Sequence, residues 1–217
     1  MRPSWISYLG IISILLFATQ IIGQPDWKLV QKKKDLHVYT KHVEDSNLKK
    51  VKIEARIQAP LHEVIAAIED VEKHKDWVMR TMESEYITID GPDKFLYYVS
   101  SDFPFPAKDR DAVIYYQRWQ EPETKIVRTK SHAAPDGIPE KDQFVRIPIF
   151  NSTYEFIPAD HGNVEITYTL TLSPGGYIPN WIVNFGITAG PIRTMHALFD
   201  LVHSGAYKGV QVEGLLE

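Results

Sequence analysis

The chain has 217 residues, with 24 Lys and Arg against 28 Asp and Glu, a formal net charge of −4, and 44% hydrophobic and 24% charged residues. That composition excludes disorder, collagen and coiled coil, and a mildly acidic total offers no field for nucleic acid, whose backbone is bound by clustered Lys and Arg that release its counterions. With no Cys, disulfides, thiol catalysis and thiolate zinc sites are excluded too.

Residues 1–23 read as a leader. Arg2 and the amino terminus give a positive start, an uncharged run follows from Trp5 to Ile22, and Gly23-Gln24-Pro25 ends it. That is the layout of a secretory signal peptide. An uncleaved N-terminal anchor is the alternative, because the run approaches the ~20 residues that span a bilayer. On either reading the domain, residues 24–217, is expected outside the cytoplasm, periplasmic or secreted, or membrane-anchored on that side.

Short strand-like runs at 27–33 and 36–41 come first, separated by Lys34-Asp35. Residues 49–57 alternate, with Val51, Ile53, Ala55 and Ile57 on one face and Lys50, Lys52, Glu54 and Arg56 on the other, which predicts an antiparallel strand with one wet face. Pro60 opens a helix. Leu61, Val64, Ile65, Ile68 and Val71 share its buried side, Glu63, Glu69 and Glu72 face water, and Trp77 ends the helical stretch. Strands are predicted at 85–89, 95–100, 112–119, 125–132, 144–157 and 164–172, with turns at 91–93, 121–123 and 160–163. From Pro179 to about Ala206 the period is helical again, and Pro191 after Gly190 is expected to kink this last helix. Strands of this number must curl or split, so one α+β domain results: a curved antiparallel sheet of about eight or nine strands wrapped around a long C-terminal helix.

Three segments carry a resemblance. Trp77 follows the first helix. Phe103-Pro104-Phe105-Pro106-Ala107-Lys108-Asp109-Arg110-Asp111-Ala112-Val113 looks like a Pro-rich loop running into an Arg-Asp strand, and 174–184 holds a Gly, Ile-Pro and Asn series leading into the last helix. In this order they resemble the steroidogenic-acute-regulatory-protein-related lipid-transfer (START) family of the helix-grip superfamily, from about Trp27 to the end. The resemblance implies a tunnel between sheet and C-terminal helix that holds one lipid, no covalent chemistry, and gating by that helix and the loop at 100–109. It also implies a departure: where sterol-binding members place a buried Arg, Tyr116 stands here, with Arg118 one pleat further on the same face as a substitute.

Candidate ligand-binding residues on the inner strand faces are Tyr97, Val99, Ile114, Tyr116, Tyr154, Phe156 and Tyr168, with Val183, Ile187, Ile192 and Met195 from the helix. Filled core also explains such a set. Tyr is a costly filler, however, since a buried hydroxyl needs a partner or a water, and the resemblance tips the reading to a cavity. Gly190 and Pro191 are candidate gate residues. Phe103 and Phe105, with Tyr177 and Trp181, are candidates for transient contact with a membrane surface. Arg110 is expected in a structural ion pair with Asp109 or Asp111. The eight His include no His-x-His or His-x-x-x-His, so no metal site is expected; His132 is the one that could face the interior. No cofactor is implied. The expected function is binding or transfer of one hydrophobic ligand by a monomer. The alternative is a polyketide-cyclase-type enzyme of the same superfamily, which needs an inward acid or base; no carboxylate reads as clearly inward.

Overall fold

The computed structural model describes residues 27–46, 48–178 and 180–216. In chain order these form β1 (Lys28–Lys33), β2 (Leu36–His42), β3 (Lys49–Gln58), α1 (Leu61–Glu69), a 3-10 turn (Val71–Lys73), α2 (His74–Trp77), β4 (Thr81–Ile89), β5 (Lys94–Ser101), β6 (Arg110–Gln120), β7 (Val127–Ala133), β8 (Val145–Arg146), β9 (Ile149–Ala159), β10 (Asn163–Ser173) and α3 (Asn180–His203). The strands make one sheet in the order β1-β2-β3-β10-β9-β7-β6-β5-β4. Its neighbours pair antiparallel, and only the short β8, off this path, pairs in parallel with Arg110 and Asp111 of β6. A sheet of this size curls, and α3 lies in the concavity.

The alternation of β3 holds in space. Val51, Ile53 and Ile57 are buried and join Val38, Ile65, Phe156, Ile166 and Leu198 in the larger core, which α1 and the C-terminal half of α3 close. A second core gathers Phe95, Tyr97, Ile114 and Tyr116 from β5 and β6.

Three expectations are corrected. The helical stretch at 60–77 is broken: α1 stops at Glu69, Asp70 leaves helical geometry, and the Tyr86 hydroxyl donates to the Glu69 carbonyl and accepts from Val71 N–H at 3.4 Å. That side chain satisfies groups a helix end leaves open. The strand expected at 85–89 begins at Thr81. The run at 144–157 divides at Ile147-Pro148 into β8 and β9, since Pro148 has no N–H to offer a ladder.

Both sheet edges, β1 and β4, are open among the described residues, and each carries a bulge, between Leu29 and Gln31 in β1 and at two places in β4.

Buried arginines fasten the loops at one end of the sheet. Arg146 meets Asp111 through two bonds, Nε to Oδ1 at 2.9 Å and Nη2 to Oδ2 at 3.0 Å, and also donates to the carbonyls of Pro135, Ile138 and Pro139. Asp111 is therefore taken, Asp109 Oδ1 accepts from Phe103 N–H at 2.8 Å, and the expected ion pair of Arg110 with Asp109 or Asp111 does not form among the described residues. Arg110 is itself buried and donates to the carbonyls of Lys108, Pro174 and Gly175, with its guanidinium 4.8 Å from the Phe103 ring centre. It thus ties the loop before β6 to the loop before α3. Gly175 has φ +68, and a Cβ there would stand 3.1 Å from the Arg146 carbonyl oxygen, so only glycine suits the position.

Candidate ligand pocket

Strand register builds the site. One inward row crosses the sheet as Tyr116, Ser131, Ser152 and Leu170; the next runs Arg118, Thr129, Tyr154 and Tyr168. Where the larger core has Ile, Phe and Leu at inward positions, the first row has two serines, and Ala112 lies nearby on β6. Above them α3 passes with Gly186 and Gly190, where a Cβ would meet nothing within 4 Å. Small side chains on both sides leave a pocket of about 300 Å3, the lower end of the ~300–1,000 Å3 usual for small-molecule sites.

The walls are mostly apolar: Ile114, Leu170, Leu172 and Ile182 together with the rings of Phe95, Tyr97, Tyr154 and Tyr168. Tyr154 and Tyr168 stand with ring centres 4.3 Å apart. Burial raises the hydroxyl pKa of Tyr97, Tyr154 and Tyr168, so all three stay protonated donors. His74, wedged between Trp77 and Tyr97, has Nε2 2.8 Å from the Ile68 carbonyl, and burial lowers its pKa, favouring the neutral ring. At the rim the exposed Arg80 and Asp102 pair at 2.5 Å. Met79 N–H donates to Thr194 Oγ1 at 3.1 Å and links the rim to α3.

Of the residues singled out in the sequence, Tyr97, Val99, Ile114, Tyr116, Tyr154 and Tyr168 line this pocket, as do Phe103, Gly190 and Pro191. The side chains of Trp181, Val183 and Ile187 lie outside the described residues. Phe105 and Tyr177 are 92% and 89% exposed, beyond the walls. Five others stand elsewhere. Phe156 and Met195 are closed into the larger core, and Ile192 packs against it, because the C-terminal half of α3 meets a filled part of the sheet. His132 alternates with the inward Ser131, so it faces outward beside Tyr115 with ring centres 5.2 Å apart. Arg118 points inward past the pocket floor to a buried partner that the helical pattern had assigned to solvent. Glu69 Oε1 accepts from Arg118 Nε at 2.7 Å and from the Tyr116 hydroxyl at 2.9 Å. Arg118 also donates to the carbonyls of Pro92 and Glu213 at 3.0 and 2.8 Å. Burial raises the Glu69 pKa, against the pull of Arg118 and Tyr116. Sequence reasoning missed Ser131 and Ser152 as well. Their signal was small side chains at inward strand positions, where a filled core would carry large ones.

The sequence matches the START domain family over residues 19–197. It is 28% identical to an uncharacterized protein of Pseudomonas aeruginosa over 87% of this chain and 96% of that one. It is 25% identical to mouse START domain-containing protein 10 over 77% of this chain and 58% of that one. The fold is similar to the crystal structure of a STAR-related lipid transfer protein from Xanthomonas axonopodis, with TM-score 0.75, 26% identity and coverage of 82% of this chain and 98% of that one. It is similar also to human StAR-related lipid transfer protein 5, with TM-score 0.74, 15% identity and coverage of 83% and 88%.

Proposed function

Because the chain belongs to the START domain family, we propose that its pocket takes up a single lipid or similar hydrophobic molecule and passes it on chemically unaltered. The observation that carries this reading is the apolar hollow between Ser131 and Ser152 on the sheet and Gly186 and Gly190 on α3. Each CH2 withdrawn from water into such a space contributes about 0.8 kcal/mol, so an acyl chain or ring system gains affinity without any charged contact. A carrier suits the lining better than an enzyme does: beside hydroxyls it offers one imidazole, engaged by the Ile68 carbonyl, and one rim carboxylate, Asp102, paired with Arg80. Native mass spectrometry of the purified chain tests this. The expected spectrum shows one co-purifying or vesicle-extracted lipid per chain; protein that stays empty after incubation with vesicles would sink the reading.

The mouth bears on how the molecule gets in. Phe105 and Tyr177 project from the two loops that Arg110 ties together, which suits brief contact of a monomer with a bilayer surface. Gly190 and Pro191 line the pocket from α3, where a bend of the helix would open it. In a vesicle assay, Phe105→Ser with Tyr177→Ser is expected to weaken membrane association severalfold at unchanged lipid stoichiometry, and Pro191→Ala to slow transfer. Full retention of vesicle binding by the double variant counts against the contact. On the strength of residues 1–23 the site of action is outside the cytoplasm; cell fractionation that leaves the chain in the cytosol would refute that.

A further inference from the structure

The polar groups of the pocket differ in kind from its charges. Tyr97, Tyr154 and Tyr168 line it, and none of their hydroxyls has a hydrogen bond to a described residue. Trp77 Nε1 and Thr81 Oγ1, also in the wall, are buried without a partner among the described residues, and Trp77 is only 8% exposed. Among the described residues, the only Asp, Glu, Lys or Arg lining the pocket are Arg80 and Asp102. Arg80 and Asp102 satisfy each other at the exposed rim, His74 favours its neutral form, and Glu69 and Arg118 neutralise each other behind Tyr116. A buried polar group without a partner is costly, so this arrangement asks the ligand for an oxygen that accepts. A buried ion without a counter-ion is costlier still, so the same arrangement penalises a charged head.

Resting on the lipid-binding reading above, we propose that the pocket selects uncharged lipids bearing a hydrogen-bond-accepting oxygen, an alcohol, ester or ketone, which the hydroxyls of Tyr97, Tyr154 and Tyr168 hold, and that it rejects lipids whose charge would be buried. The two tyrosines on β9 and β10 are directly opposed, and Tyr97 closes the group from β5. The rings of Tyr154 and Tyr168 stand with centres 4.3 Å apart, so the two side chains enter the pocket side by side from adjacent strands.

The test holds the length of the hydrocarbon chain constant and varies the head. Oleyl alcohol, methyl oleate, oleate, oleylamine and 1-octadecene are titrated into the purified chain at pH 8, below their aggregation concentrations. Oleyl alcohol and methyl oleate are expected to bind within severalfold of each other, and oleate and oleylammonium at least fiftyfold more weakly. The triple variant Tyr97→Phe/Tyr154→Phe/Tyr168→Phe is expected to bind oleyl alcohol at least tenfold more weakly while its affinity for 1-octadecene is unchanged, a difference that a general packing defect would not produce. Oleate or oleylammonium binding as tightly as the alcohol, or a triple variant with undiminished affinity for the alcohol, overturns the selectivity and leaves lipid binding standing. If no probe binds, 1-octadecene included, both readings fall.

Discussion

Arg118→Met is expected to lower the free energy of unfolding by about 3–5 kcal/mol, because it strands the Glu69 carboxylate in a site closed to water. The side chains of Arg118 and Glu69 are 2% and 14% exposed, so solvent screens little of the loss. Its pH dependence has a definite sign. Burial already holds the Glu69 pKa above its ordinary value, and without Arg118 it rises further. A raised carboxyl pKa means that the folded state binds the proton more tightly than the unfolded one, so stability is present below the unfolded value of ~4.3 and is lost as pH rises through the folded one. The variant should therefore be nearest to wild type in acid and furthest from it at neutral pH. The double variant Glu69→Gln/Arg118→Met is expected to regain more than half of the loss, since replacing both members of a buried pair leaves no charge behind. Urea denaturation at pH 4 and pH 7.5 checks this; a pH-independent loss, or none, would show that the pair carries no such weight.

Ser131→Phe combined with Ser152→Phe is expected to reduce lipid uptake at least a hundredfold while changing the unfolding free energy by less than about 1.5 kcal/mol. The two positions face each other across β7 and β9 at the floor of the 300 Å3 pocket. Phenyl rings there enter open space instead of pushing into packed atoms, which is where enlarging substitutions usually incur strain. Binding isotherms together with near-ultraviolet circular dichroism separate the outcomes. Lost uptake with a native spectrum supports the pocket; undiminished uptake places the ligand elsewhere.

The sheet was readable from sequence because its code is local. Val164, Ile166, Tyr168 and Leu170 alternate with Glu165, Thr167 and Thr169 in the sequence and on the two faces of β10 alike. The same alternation places His132 outside, opposite in sense to the inward Ser131. The pocket was half readable, because aromatic residues on inner faces drew attention while the serines that make the space did not. The ionic contacts were not readable. Arg146 and Asp111 meet across 35 positions, Arg118 and Glu69 across 49, and periodicity says nothing about such partners. Glu69 was assigned to the wet side although it is the last residue of α1 and stands one turn beyond the buried Ile65, on the same face. An Arg inward beside Tyr116 was the available hint that a carboxylate had to come from somewhere.

The two borders of the sheet, open among the described residues, bear opposite charge: Lys28, Lys32 and Lys33 lie on β1, Glu83 and Glu85 on β4. Opposite signs on the two ends of one molecule invite head-to-tail stacking, an open-ended growth that no rotation closes. The kinked ladders interrupt the regular row of amides and carbonyls that a second copy would have to match. Irregular borders of this kind work against such edge-to-edge growth.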